Sequence, residues 1–197
     1  MNKSRLEAFS DGVLAIIITI MVLEIKVPHG TDWKSLQPLI PVFLSYAISF
    51  LFIGIYWGNH HHLLHTLKRI SPGIMWANLL LLFWLSLVPV ATGWMGENHF
   101  ATNTVVLYAI VLVCCGLSYS VLQHMILKTI DRETELVTAI KNQDKKVAIS
   151  AITAFAAIPF AFVNPTISCL LFLVQSGIWL IPDKNIEQAL KNMQSKG

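Results

Sequence analysis

The stretch Arg5-Leu6-Glu7-Ala8-Phe9-Ser10-Asp11, followed by a run without charge from Gly12 to Leu23, decides how this chain is read. It places an arginine, a glutamate and an aspartate at the mouth of an apolar helix predicted over Met1 to Val27. An ionised side chain deep in a bilayer costs at least about 3 kcal/mol on insertion scales, and such residues usually face protein or water. The helix is therefore expected at the centre of a bundle or along a pathway, rather than as a plain lipid-facing anchor.

Stepping about 100° per residue separates its faces. Arg5, Phe9, Gly12, Ile16, Ile20, Leu23 and Val27 fall on one stripe, with Thr19 at its edge. Ser10 lies well off that stripe. Asp11 points nearly opposite, above Ala15, Ile18 and Val22. The polar motif is placed to grip neighbouring helices while the branched aliphatic row looks elsewhere. Periodicity alone leaves that row open to two readings, bundle core or lipid surface.

The rest of the chain agrees with a membrane setting. Its 197 residues are 55% hydrophobic and only 13% charged, with a mean hydropathy of +0.63. This is the composition of an all-α polytopic membrane protein, and it gives no reason to expect a nucleic-acid partner. The first apolar run ends in Glu24, Lys26 and Pro28 without a small-residue cleavage site, so a cleaved signal peptide is not expected. Cys114, Cys115 and Cys169 all lie in apolar runs, without metal-ligand spacing, and read as packing residues.

Six spans are predicted. The second covers about 36–67, with Pro38 and Pro41 near its start where proline is tolerated. It ends in Trp57-Gly58-Asn59-His60-His61-His62-Leu63-Leu64-His65 before the breaker Ser71-Pro72-Gly73. The third is about 74–95, with a kink expected at Pro89. The fourth is about 101–127, the fifth 147–163 and the sixth 166–181. Between the fourth and fifth, the charged segment Lys128 to Lys146 reads as carrying a short surface helix. The whole divides into one six-helix domain over 1–182 and a short amphipathic tail over 183–197, with Ile186, Leu190 and Met193 at helical spacing.

Twelve of the fourteen Lys and Arg residues fall on the side that also holds both termini, and only Lys26 and Lys34 fall on the other. The positive-inside rule then predicts a multi-pass protein of the cell membrane with both termini cytoplasmic.

No enzymatic pattern is present: no glycine-rich phosphate loop, no nucleophile paired with a base on one span, and no redox cysteine motif. His61 and His65 stand four apart, which is metal-ligand spacing on a helix. A metal or haem site would need further ligands from other spans, and histidines hydrogen-bonded at a helix end are the simpler reading. No enzyme activity, resident metal or cofactor is expected.

Arg5-x-x-x-Phe9-Ser10-Asp11 at the start of a first membrane helix resembles the signature of the transmembrane-protein-175 family of potassium channels. Trp57 with His60 and His61, Asn78 in the third span, and the pair Pro89 and Thr92 also look like family positions. Where many relatives follow that proline with phenylalanine, this chain has Val90. The resemblance covers Arg5 to Gly96, while the second half is similar in topology alone.

The resemblance implies a homotetramer of six-span subunits in the lipid bilayer, with the first helices lining a central pore for potassium ions. Ile16 would form the narrowest ring, with Thr19, Ile20 and Leu23 following toward the outside. Arg5, Phe9, Ser10, Asp11, Trp57, His60, His61 and Asn78 would form a clamp that holds the helix, with Asp11 accepting hydrogen bonds from Trp57, Asn78 or one of the histidines. Glu24 would either attract cations at the outer mouth or pair with Lys26. The chain has no carbonyl-filter sequence of the usual potassium-channel type, so an aliphatic ring would set a modest preference for potassium over sodium and act as a gate. Two alternatives differ in class. One is a proton-coupled transporter using Asp11 and the His60–His65 cluster. The other is a membrane redox enzyme with a metal or haem at His61 and His65.

Overall fold

The computed structural model describes residues 2–67, 69–129 and 144–180, with side chains from 146 in the last segment. Seven α-helices are described: α1 (Lys3–Leu23), α2 (Ile40–His65), α3 (Pro72–Ser86), α4 (Val88–Glu97), α5 (Thr102–Leu127), α6 (Asp144–Val163) and α7 (Pro165–Leu180). A 3-10 helix, Trp33–Leu39, leads into α2. The expected surface helix within 128–146 and the amphipathic tail lie largely or wholly outside the described residues.

Local chemistry sets the helix ends. The Asn2 side chain accepts the Arg5 backbone N–H over 3.0 Å and starts α1. Ser71 caps α3 by accepting the Ile74 N–H, with Pro72 in the first turn where no intrahelical partner is lost. The expected break at Pro89 is present: α3 stops at Ser86, Leu87 bridges, and α4 resumes with Pro89 in its first turn. α4 then ends in a tight turn in which His99 and Phe100 both take left-handed backbone angles, with φ of 52° and 59°.

Among the described residues, five spans are long and apolar enough to cross a bilayer: α1, the 3-10 helix with α2, the α3–α4 pair, α5, and α6 from residue 146. The sixth expected span corresponds to α7, whose 16 residues are apolar but shorter. At 1.5 Å per residue it reaches roughly 24 Å, against a hydrocarbon core of about 30 Å.

The helices pack as a bundle around α5, which lies against α3, α4 and α6, while α6 and α7 form a close pair. Tyr108 of α5 and Phe172 of α7 meet edge to face with ring centroids 5.1 Å apart, both fully buried. α1 stands at one side, against α2, α3 and α4. It buries Leu6, Ser10, Leu14, Ile17 and Met21 there, packs Val13 and Ile18 half-buried beside them, and leaves its opposite side outside the bundle.

Candidate functional site

The faces of α1 divide as the 100° period requires. Its buried row is Leu6, Ser10, Leu14, Ile17 and Met21. The aliphatic stripe is open: Phe9 is 52% exposed, Ile16 58%, Ile20 41% and Leu23 79%. Thr19 and Arg5 are exposed on the same side. The Thr19 hydroxyl donates back to its own helix, to the carbonyl of Ile16 at 2.9 Å or of Ala15 at 3.1 Å. Its lone pairs are left facing outward.

Behind the stripe, three helices are joined by a directed line of hydrogen bonds. The Asn78 amide nitrogen donates to Ser10 Oγ over 3.0 Å. Ser10 in turn donates to the Leu6 carbonyl over 2.9 Å. Asn78 Oδ1 lies 2.6 Å from His60 Nε2. Because that amide oxygen can only accept, His60 Nε2 carries the proton and donates it. Ser10, His60 and Asn78 are all buried, so each polar group needs such a partner in a dry interior.

Asp11 is held separately. Its Oδ1 accepts the indole N–H of Trp57 over 3.0 Å. Of the donors expected for Asp11, Trp57 alone makes this bond; His60 and Asn78 serve the Ser10 line instead. His61 packs its ring between those of Trp57 and His65, with centroids 6.3 Å and 6.1 Å away. About two turns from Asp11, toward the cytoplasmic end predicted from charge, Lys3 donates its ammonium to the His65 carbonyl at the end of α2. Positive charge there also favours the negative pole of that helix. Arg5 and Phe9 lie on the open stripe, outside these contacts.

A second polar line, of which only Thr92 was singled out from sequence, ties α2, α4 and α5. Thr92 donates to the Val88 carbonyl over 2.7 Å. Its single proton being engaged, it accepts from Ser49 at 2.7 Å, and Ser49 accepts from Tyr108 at 2.9 Å. The available signal was a hydroxyl in each of three apolar spans, which gives no pairing by itself. At the outer end predicted from charge, Lys26 pairs with Glu97 over 2.7 Å, and not with Glu24 as one of the two readings of that residue had it. The Glu97 hydrogen bond and charge hold the Lys26 ammonium above its ordinary pKa.

No group of three or more His, Cys, Asp and Glu side chains is placed to hold a metal ion among the described residues. His61 and His65 gain no third ligand there. The proton-coupled alternative finds no support: no hydrogen bond joins Asp11 to His60, His61 or His65.

The family described as "Endosomal/lysosomal potassium channel TMEM175" matches residues 5–89, the segment that supplies the Ser10 line and the Asp11–Trp57 bond. A potassium channel from Chryseobacterium sp. is 51% identical over 191 residues, covering 97% of this chain and 99% of that one. The chain belongs to the TMEM175 potassium-channel family. A potassium channel from Streptomyces collinus is 37% identical over 138 residues, covering 66% of this chain and 67% of its own. The crystal structure of a lysosomal potassium-selective channel TMEM175 homolog from Chamaesiphon minutus superposes with a TM-score of 0.77 at 28% identity, over 90% of this chain and 96% of that chain. The TMEM175 likeness in structure thus extends through the second half, where the family match stops.

Proposed function

We propose that this protein is a passive, potassium-selective channel in which α1 of four identical subunits lines a central pore. The observation that carries the reading is the open aliphatic stripe of α1, lying beside a polar grip that fixes the helix from behind. One helix cannot enclose a pore, so the stripe needs copies of itself, and cyclic symmetry is the usual solution. Each subunit crosses the membrane six times, α7 being the shortest span, with both termini cytoplasmic.

Ile16 forms the narrowest ring in this reading, with Thr19, Ile20 and Leu23 beyond it. Aliphatic carbon cannot replace an ion's hydration shell, so ions pass partly hydrated or the ring dilates. Potassium holds its water less tightly than sodium and is favoured, modestly. When narrow, the same ring excludes water and closes the path. Thr19 supports the preference because its proton is engaged on the helix, leaving oxygen lone pairs for a cation or its water.

Purified protein in liposomes with unequal potassium and sodium should give a reversal potential displaced toward the potassium value. Detergent-corrected light scattering should give four copies of a 22.0 kDa chain. A monomer that still conducts would overturn the shared pore, and a reversal potential at the sodium value would overturn the selectivity.

A further inference from the structure

Away from α1, a cavity of about 110 Å³ opens between α2, α5, α6 and α7. Its walls are mostly hydrocarbon, from residues such as Phe52, Leu112 and Ala154. Two donors at its edge are engaged within the protein. Tyr119 donates to the Asn59 carbonyl over 3.3 Å, and Trp179 donates to Ser150 over 2.7 Å. One acceptor is not: Gln175 Oε1 is shut from solvent and receives no hydrogen bond from the described residues. A dry, unpaired amide oxygen is costly, and a soft rotation of the terminal amide turns it toward the cavity that Gln175 lines.

We propose that this cavity binds a small neutral amphiphile of about the size of phenol, with an apolar body and one hydrogen-bond donor directed at Gln175. The volume is about three quarters of the ~150 Å³ dry cavity that accommodates benzene, which limits the ligand to one small ring. The donor follows from Gln175 Oε1, a buried acceptor without a partner among the described residues. A ligand with only acceptors would leave Gln175 Oε1 unpaired.

Phenol and anisole separate the two contributions, because they share the ring and anisole has no O–H. The full-length protein in detergent is titrated with each, and the shift in its thermal unfolding midpoint gives an apparent affinity. Partitioning into micelles affects parent and variants alike. Phenol should bind about fivefold more tightly than anisole, the value of one neutral hydrogen bond. Gln175→Leu should remove that difference, and Gln175→Met serves the same purpose should the leucine variant fail to fold. Gly116→Leu should abolish the response to both compounds. A Cβ at Gly116 meets only the Tyr56 hydroxyl, at 3.7 Å, so the added side chain has room to enter the cavity. Equal binding of phenol and anisole by the parent would overturn the proposal. So would a phenol preference that survives removal of Gln175, or a response that survives Gly116→Leu.

Discussion

The indole N–H of Trp57 donates to the Asp11 carboxylate across 3.0 Å, joining α1 to α2 where Asp11 is half-buried and Trp57 half-exposed. Next to it, Ser10 is bound by Asn78 of α3. Adjacent residues on α1 thus hold two different helices, which fixes the rotation of α1 as well as its position. With rotation fixed, the stripe carrying Ile16 cannot turn into the bundle.

Asp11→Ala is expected to lower the unfolding midpoint, and Asp11→Asn, which keeps an acceptor for Trp57, to lower it less. A cycle with Trp57→Phe should give a coupling of about 1 kcal/mol, below the usual range for a charged hydrogen bond because both groups are partly solvated. Potassium preference should stay as in the parent. An altered preference at unchanged stability would place Asp11 on the ion path.

Asn78→Leu should be more damaging than Ser10→Ala. The leucine strands the Nε2–H of His60 and removes the donor to Ser10, at a cost of about 1–3 kcal/mol. The alanine leaves only the Asn78 amide short of one partner, nearer the ~0.6 kcal/mol average for hydrogen bonds between membrane helices. Unfolding in detergent, followed by circular dichroism, ranks the two. The reverse order would mean that His60 finds another acceptor.

Ile16→Asn is expected to raise conductance and lower the preference for potassium, because an amide stands in for water where carbon could not. Leu23→Ala, farther along the stripe, should do less. Ile18→Asn, on the half-buried side, should mainly harm packing. Reversal potentials and currents at equal protein incorporation test the comparison. Changed selectivity in Ile18→Asn with none in Ile16→Asn would show that the other face of α1 meets the ions.

Gly96→Ala should weaken the seam between α2 and α4. A Cβ there would stand 2.7 Å from the backbone Cα of Val42, so the helices must separate. Overpacking of this kind costs about 1–3 kcal/mol. By contrast, Gly93→Ala meets nothing within 4 Å and should be near neutral or stabilising. Thermal unfolding of both variants gives the difference directly.

The division of α1 into open and buried faces was legible because both follow from one helical period within one segment. So was the break between α3 and α4, since Pro89 carries its own backbone constraint. The partner of Asp11 was not. Trp57, His60 and His61 are close on α2, and which of them faces Asp11 depends on how α2 is rotated against α1. That rotation comes from packing along the whole contact. The Lys26–Glu97 pair was missed for a related reason. Glu24 is near in sequence, whereas Glu97 is brought near by the fold. The Ser49–Thr92–Tyr108 line needs three helices in register, which no single segment encodes.

The anchoring of α1 also gives it a mechanical asymmetry. Its nitrogen-to-oxygen side-chain bonds to the other helices lie at Lys3, Ser10 and Asp11, all in its first half. From Leu14 onward the buried row is apolar, ending at Met21 against Thr92. A tilt of α1 therefore has its fulcrum near Asp11, with Ile16 roughly 7.5 Å and Leu23 roughly 18 Å along the arm. A swing of about 6° moves Ile16 by only about 0.8 Å and Leu23 by about 1.9 Å on that geometry. Along the proposed pore-lining row from Ile16 to Leu23, the lever displaces Ile16 least and Leu23 most. In the proposed tetramer, spin labels at Gly12 and Leu23 of neighbouring subunits would read the arm directly, the outer distances spreading more than the inner ones.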